Sequence, residues 1–386
     1  MKILHTSDWH LGHVLYGYDR GEEQREMLAQ MTDIVRQQRP DAFLLSGDVY
    51  HTAQPSAGVQ RLFAEALVEM HEACPSMRII VTAGNHDSGA KHEIYRVPWK
   101  ALGVEVVGHI DRENPASHIV RVGESGYVVA VPYCYERTLP EGFFQSLLDT
   151  VEQENTAHLP VVLMAHTTVQ GCDYKGHDAP SDRTVGGIDA LPIDAFGHGY
   201  DYLALGHIHH EQWVHGARSH ARYCGSPLAV SFDECYEHSV SMVSLGPGGD
   251  IGCEQVPIRN PHPLVTLPSV GAVDWEHAKA LLADFPADIP AYIRLSVEVD
   301  DFLPPQAGTE AEELTRGKDC RFCTIRVSRR HNVQRAETGM SVEEFREQKP
   351  LDIVRRYAED RGFAFTPDLE ELFDEAERAV QTDNAQ

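Results

Sequence analysis

Five short stretches carry the residue types from which a metal site could be built. They are Asp8-Trp9-His10, Gly47-Asp48-Val49-Tyr50-His51, Gly84-Asn85-His86-Asp87, the single His166, and Gly206-His207-Ile208-His209. Imidazole, carboxylate and amide donors without thiolate favour ions such as Mn²⁺, Mg²⁺ or Fe²⁺ over a structural zinc. In the D-x-H and H-x-H pairs an extended backbone of period two points both side chains the same way. Glycines at 47, 84 and 206 let the chain turn tightly and approach a bound ion or phosphate closely. One such pair would carry little weight in a chain with 22 histidines, because a lone buried histidine is usually a hydrogen-bonded core residue. His109, His118 and His158 are read in that way, as structural or surface groups. Five ligand-type stretches in comparable positions argue for a metal site.

Those positions are the ends of strands. Apolar runs with β-branched residues recur at Ile3–Thr6, Ala42–Leu45, Ile79–Thr82, Val128–Val131, Val161–Met164 and Tyr202–Leu205, each short, as fully buried strands are. Between them, three- and four-residue apolar spacing predicts helices over Glu22–Gln38, Ala57–Ala73 and Gly142–Asn155, and Pro40 and Pro160 punctuate just before two of the strands. Strand–helix alternation predicts an α/β layered core around a central sheet. Ligands of open α/β sheets gather beyond the carboxyl ends of strands, which is where the five stretches fall.

After about Pro257 the texture changes. A Pro- and His-rich segment, Pro261–Pro263, is followed by a predicted helix over Ala272–Phe285, a strand over Tyr292–Val299, acidic Glu310–Glu313 and a strand over Cys323–Val327. The expected organisation is a core over residues 1–260, a small α+β capping domain over 261–335, and C-terminal helices over 336–386. In the last part Ser341 and Glu344 have capping-box spacing, and helices are expected over Leu351–Arg361 and Asp368–Ala379 before a polar end. These charged, amphipathic helices are either a hairpin on the domain's own surface or a docking segment for a partner.

The 386 residues carry 33 Lys and Arg against 59 Asp and Glu, a net charge of −26. That balance disfavours a grip on nucleic acid over the whole surface, since phosphate binding needs clustered cations. Bound cations would reverse the sign locally, and a partner could supply backbone contacts. Eight cysteines are too few for a disulfide framework, and the lone C-x-x-C pair, Cys320 and Cys323, cannot close a zinc site by itself. With no apolar run near the ~18 residues of a membrane span and no secretory-signal pattern at the start, the expectation is a cytoplasmic protein with no membrane association.

The order D-x-H, G-D-x-x-H, G-N-H-D, H, G-H-x-H over about residues 1–260 resembles the calcineurin-like metallophosphoesterases. Within them, Ser7-Asp8-Trp9-His10-Leu11-Gly12, Gly186-Gly187-Ile188-Asp189, Ala204–His209 and Gly225-Ser226-Pro227-Leu228 resemble a branch of bacterial DNA-processing nucleases that work beside an ATPase subunit. The resemblance implies two divalent ions, Mn²⁺ with Mg²⁺ as the other candidate. Asp8, His10, Asp48 and His209 would hold one, and Asp48, Asn85, His166 and His207 the other, with Asp48 shared. Two ions ~3.5–4 Å apart can clamp the attacking and leaving oxygens of an in-line displacement. His86 is similar to the family's catalytic histidine, contacting the phosphate or protonating the leaving oxygen; the alternative is that it only orients Asp48 or Asn85. His51 either stabilises charge on the phosphate or merely packs. The resemblance further implies double-strand 3′-to-5′ exonuclease and single-strand endonuclease action, and a homodimer joined to two ATPase subunits in a heterotetramer.

Two other functions compete. Protein phosphatases of the superfamily look like G-D-x-x-D-R and G-N-H-E, where this chain has Gly47–Thr52 and Gly84–Asp87, so a phosphatase or phosphodiesterase on a smaller substrate lacks its arginine. A non-catalytic docking scaffold would be expected to have lost ligand positions, and none is vacant. ATP hydrolysis by the chain itself has no G-x-x-x-x-G-K-[ST] loop to support it.

Overall fold

The computed structural model describes residues 1–134, 139–173, 190–214, 220–246 and 249–329, with Leu351, Arg355 and Phe373 besides. The Gly186–Asp189 motif, the Ser341 capping box and, those three positions aside, the C-terminal helices lie outside the described residues. Residues Met1–Ser328 form one compact unit and Arg329–Gln386 a second.

The buried apolar runs are strands. In chain order they begin with β1 (Lys2–Thr6), a small hairpin of β2 (Val14–Leu15) and β3 (Tyr18–Asp19), β4 (Ala42–Ser46), β5 (Arg78–Thr82), β6 (Val104–Val107), β7 (Ile119–Val122) and β8 (Gly126–Ala130). There follow β9 (Val161–His166), β10 (Tyr202–Gly206), β11 (Gln212–Trp213), β12 (His220–Tyr223), β13 (Ser239–Leu245) and β14 (Ile251–Pro257). Two six-stranded sheets result, ordered β14-β13-β1-β4-β5-β6 and β11-β12-β10-β9-β8-β7. In the first, β1, β4, β5 and β6 run parallel; in the second, β8, β9, β10 and β12 do. Their carboxyl ends therefore form the rims at which the five stretches emerge.

Alternation along each strand divides its side chains between two cores. Ile3, Leu44 and Ile80 of the first sheet meet Val128, Val162, Met164 and Ala204 of the second in an inter-sheet core. Leu4, Phe43, Leu45, Ile79 and Val81 face outward, under α1 (Gly21–Gln38) and α2 (Ala57–Ala73). Val129, Leu163 and Leu205 lie under Phe144, Leu147 and Val151 of a helix at Phe143–Glu154. Helices thus cover both outer faces of a double sheet. The predicted helices match closely: α2 begins at Ser56, whose hydroxyl accepts from the Val59 N–H at 3.3 Å. α1 stops at Arg39, which is left-handed at φ 45° and donates to the Val35 carbonyl ahead of Pro40.

The later segment forms a third sheet, β15 (Leu264–Leu267), β16 (Tyr292–Val299) and β17 (Arg321–Arg329), with its own apolar core of Trp275, Leu282, Ile293, Leu295 and Phe322. One boundary here differs from expectation. The first helix here is Trp275–Asp284, not Ala272–Phe285, because Asp274 caps it by accepting from the His277 N–H, while Val273 bridges to Val297. The acidic Glu310–Glu313 lies inside a helix, Ala307–Thr315, whose Ala307 and Ala311 are buried. The segment Leu11–Arg20 contains the β2–β3 hairpin. Cys320 and Cys323 are free thiols. His118 is structural: its Nδ1 donates to the Ala130 carbonyl at 2.8 Å and its Nε2 accepts from the Asp111 N–H. Among the described residues no helix is long and apolar enough to cross a membrane.

Candidate metal centre

The donors are carried on unusual backbone. Asp8, His10, Asp48 and His207 all have positive φ, at 54°, 46°, 50° and 96°. Non-glycine residues in such regions cost about 1–3 kcal/mol each and persist only where their surroundings over-determine them. Here the loops after β1 and β4 are laced together. Asp8 N donates to Gly47 O at 3.1 Å, His10 N to Asp48 O at 3.1 Å, Leu11 N to Val49 O at 2.9 Å and His51 N to Leu11 O at 3.0 Å. The glycines leave the necessary room. A Cβ on Gly84 would lie 2.0 Å from Asp48 Oδ1, and one on Gly47, itself at φ +88°, would lie 2.2 Å from His166 Nδ1.

All seven residues expected to hold metal meet at one place, supplied by β1, β4 and β5 of the first sheet and β9 and β10 of the second. On one side His10 Nε2 faces His209 Nε2 at 3.2 Å, and His209 Nε2 is 3.9 Å from Asp8 Oδ1. On the other, Asn85 Oδ1 stands 3.0 Å from both His166 Nε2 and His207 Nδ1. Asp48 Oδ2 lies between, 3.8 Å from His10 Nε2 and 3.4 Å from His166 Nε2. The ligating atoms of Asp8, His10 and His209 fall within 4.8 Å of one another, as do those of Asp8, Asp48 and His166.

Burial and mutual proximity set the charges. Burial holds the His10 imidazole far below its ordinary range, so it presents a lone pair. Burial would push the Asp48 carboxyl up, but His166 beside it reverses this and holds it well below the usual range. Burial likewise disfavours an imidazolium at His166, yet the Asp48 carboxylate raises it to about 9. Asp8 is raised, mainly by burial. The second ring nitrogens are already committed: His166 Nδ1 donates to Ser46 O at 2.7 Å and His209 Nδ1 to Glu234 Oε1 at 3.0 Å. Inward-facing nitrogen and oxygen donors anchored from behind fit divalent cations, His166 being a residue that would have to give up a proton to ligate.

The two further histidines stand at the open edge of this cluster. His86 N donates to Asp48 Oδ1 at 2.9 Å, and its Nδ1 donates to His51 O at 3.0 Å, turning Nε2 away from its own loop. Its ring lies 4.9 Å from that of His10. His51 stacks near His86 at 5.7 Å and has Nδ1 3.4 Å from His10 Nδ1. Burial, followed by the neighbouring His86, holds His51 down to about 4, so it is neutral at pH 7.

Spacing alone did not mark two carboxylates that hold the cluster. Asp87 accepts from the N–H groups of Val49, Tyr50 and Gly84 at 2.9–3.1 Å and pairs with His92 at 3.2 Å, stapling the loop after β5 to the loop after β4. It neither orients His86 through a hydrogen bond nor caps the next helix, where Ser88 holds the capping position. Its place in Gly84–Asp87 was the available signal. Glu234, buried 25 residues beyond His209, had none.

The calcineurin-like phosphoesterase family matches residues 1–211. The SbcD component of the SbcCD nuclease of Rhodobacter capsulatus is 33% identical over 310 residues, covering 73% of this chain and 75% of that protein. This chain belongs to the SbcD family of calcineurin-like phosphoesterases. Membership makes it a metal-dependent phosphoesterase, and the donor set fits the metal part of that activity. The same-named protein of Bacillus subtilis is 32% identical over 330 residues, 78% of this chain and 80% of that protein. That of Escherichia coli K12 is 29% identical over 335 residues, 78% and 79%.

Proposed function

We propose that this SbcD-family chain is a two-metal nuclease that hydrolyses DNA phosphodiester bonds. The observation that carries the reading is the position of Asp48 Oδ2, within 4 Å of a histidine nitrogen on each side of one buried donor cluster. Asp8, His10, Asp48 and His209 would hold one ion and Asp48, Asn85, His166 and His207 the other, Mn²⁺ being the preferred species. When bound, such ions polarise phosphoryl oxygens and depress the pKa of water.

The chain's own groups do the rest. Asp48 keeps the two halves of the cluster in register, with Oδ1 tied to the His86 N–H and Oδ2 left facing inward. His86, its Nδ1 proton engaged by the His51 carbonyl, presents Nε2 as the atom that contacts the scissile phosphate or delivers a proton to the leaving sugar oxygen. His51, neutral and stacked behind it, aligns that ring and offers a hydrogen bond rather than a charge. The names of the relatives, each a subunit of the SbcCD nuclease, support a nucleic-acid substrate and a second subunit as partner. That the substrate is DNA, that the partner is an SbcC-like ATPase in a heterotetramer built on a homodimer of this chain, and that the complex acts in cytoplasmic DNA end processing are parts of the proposal that rest on the sequence resemblance. On the same reading, residues 261–335 cap the nuclease core and 336–386 bind the ATPase.

The test is cleavage by the purified chain, with and without the ATPase, of a linear duplex, a single-stranded circle and an aryl phosphodiester, across Mg²⁺ and Mn²⁺. Metal-dependent cleavage of the DNA substrates is expected. Turnover of the aryl ester alone would return the reading to a small-substrate phosphodiesterase, and no turnover of any substrate to a docking scaffold.

A further inference from the structure

Outside the residues discussed as ligands, one buried side chain touches the cluster from behind in a way that reaches another part of the fold. Glu234 lies on the loop between β12 and β13, with its side chain about 1% exposed. Its Oε1 accepts from His209 Nδ1 at 3.0 Å and from the N–H groups of Val230 and Ser231 at 3.1 and 3.2 Å; Oε2 accepts from Ser226 Oγ at 3.2 Å. Holding the His209 proton on Nδ1 leaves Nε2 as the lone-pair atom that faces His10 Nε2 and Asp8 Oδ1.

The two residues before Glu234 are gripped from the third sheet. Arg294 of β16 donates through Nη1 to Asp233 Oδ1 at 2.8 Å and through Nη2 to Phe232 O at 3.0 Å, and its guanidinium lies over the Phe232 ring at 5.2 Å. A bond from Nε to Thr266 Oγ1 at 3.1 Å, in β15, fixes the guanidinium itself. A continuous set of contacts therefore runs from the third sheet through Arg294, Phe232–Asp233 and Glu234 to His209.

We propose that Glu234 is a positioning residue for His209, and that Arg294 makes the grip on one of the two ions depend on the β15–β17 sheet. The inference rests on the two-metal reading above. It assigns to the third sheet a role at the cluster that needs no contact between that sheet and the ions. It also separates the two sides: Glu234 reaches only the side built from Asp8, His10 and His209, while His166 is anchored by the Ser46 carbonyl.

The experiment is calorimetric titration of Mn²⁺ into the metal-free full chain, with Mn²⁺ electron paramagnetic resonance to detect the spin-coupled pair. The parent should bind two ions. Glu234→Ala should weaken one of them by about 10–100-fold, the scale on which orienting partners of metal-bound histidines act, leave the other unchanged, and lose the coupled spectrum at stoichiometric metal. Glu234→Gln keeps an acceptor for His209 Nδ1 and should recover most of that loss; it also serves where the alanine variant does not fold. Arg294→Met, which keeps the stem over Phe232, should weaken the same ion by a smaller factor. Parental affinity for both ions in Glu234→Ala, or equal weakening of both, would overturn the positioning role. Parental affinity in Arg294→Met would overturn the link through Arg294. A parent chain that binds no Mn²⁺ would instead sink the two-metal reading itself.

Discussion

The two sides of the donor cluster are held by different means. Around His166 the support is main chain: the Ser46 carbonyl fixes the imidazole, and Gly47 and Gly206 leave the space its ring occupies. Around His209 the support is a side chain, the Glu234 carboxylate, while the backbone of neighbouring His10 is held both by Asp48 O and by the Gln24 amide, which donates to His10 O at 3.3 Å. Backbone support belongs to the double sheet and cannot be altered without adding atoms. Side-chain support comes from a loop that the third sheet also holds. One side is thus sensitive to bulk and the other to the loss of a single group.

The largest effect should come from the residue both sides share. Asp48→Asn keeps shape but removes the charge that sits 3.8 Å from His10 Nε2 and 3.4 Å from His166 Nε2. Cleavage should be undetectable at any metal concentration, and titration should show both ions weakened. Retention of one parental affinity would mean that Asp48 belongs to one side only.

His86 belongs to neither side's support, so His86→Ala should leave both metal affinities near parental while kcat falls by about 10²–10⁴, the span of general acid–base assistance. Single-turnover cleavage at saturating Mn²⁺ measures this. Loss of an ion in that variant would make His86 structural.

Gly47→Ala sharpens the contrast from the backbone side. Its Cβ would collide with the His166 ring, and alanine is strained at φ +88°. The folded state should lose roughly 2–4 kcal/mol, the combined scale of overpacking and left-handed strain, seen as a lower denaturant midpoint. In the fraction that folds, the ion beside His166 should be the one weakened. Loss confined to the other ion would erase the distinction between the sides.

Much of this was legible in the sequence, and the reason is local. Each donor stretch follows immediately on a buried strand, so a short apolar run and a polar end were enough to place Asp8, Asp48, Asn85, His166 and His207 at one rim. The helices over 57–73 and 22–38 were readable because apolar spacing defines one face of each, with Pro40 marking the end of the second. What was not legible depends on contacts between distant segments. Glu234 looks like any acidic residue until its loop folds behind His209, and Arg20, which donates to His13 Nδ1 at 3.3 Å and to Ala229 O, is an ordinary arginine until it is buried. The start of the helix at Trp275 was obscured because Val273 pairs with β16, a tertiary bond that helical spacing cannot report.

The smallest effect separates two of the third sheet's attachments. Besides Arg294, β16 reaches the core through Tyr292, whose hydroxyl donates to Glu23 Oε1 at 2.6 Å while accepting from Arg321 Nη1 at 3.0 Å. Glu23 in turn pairs with Arg20 at 2.6 Å, which touches His13, and His13 lies 4.6 Å from the His51 ring. This second path ends on a ring and not on the anchoring nitrogen of a donor. Tyr292→Phe should therefore cost about 1.5–3 kcal/mol, the worth of a hydrogen bond to a charged group, read as a shift in denaturant midpoint with unchanged slope, and both Mn²⁺ affinities should stay parental. If Tyr292→Phe weakened an ion as Arg294→Met is expected to, the sheet would be acting on the cluster by general loosening, and the directed path through Glu234 would lose its distinction.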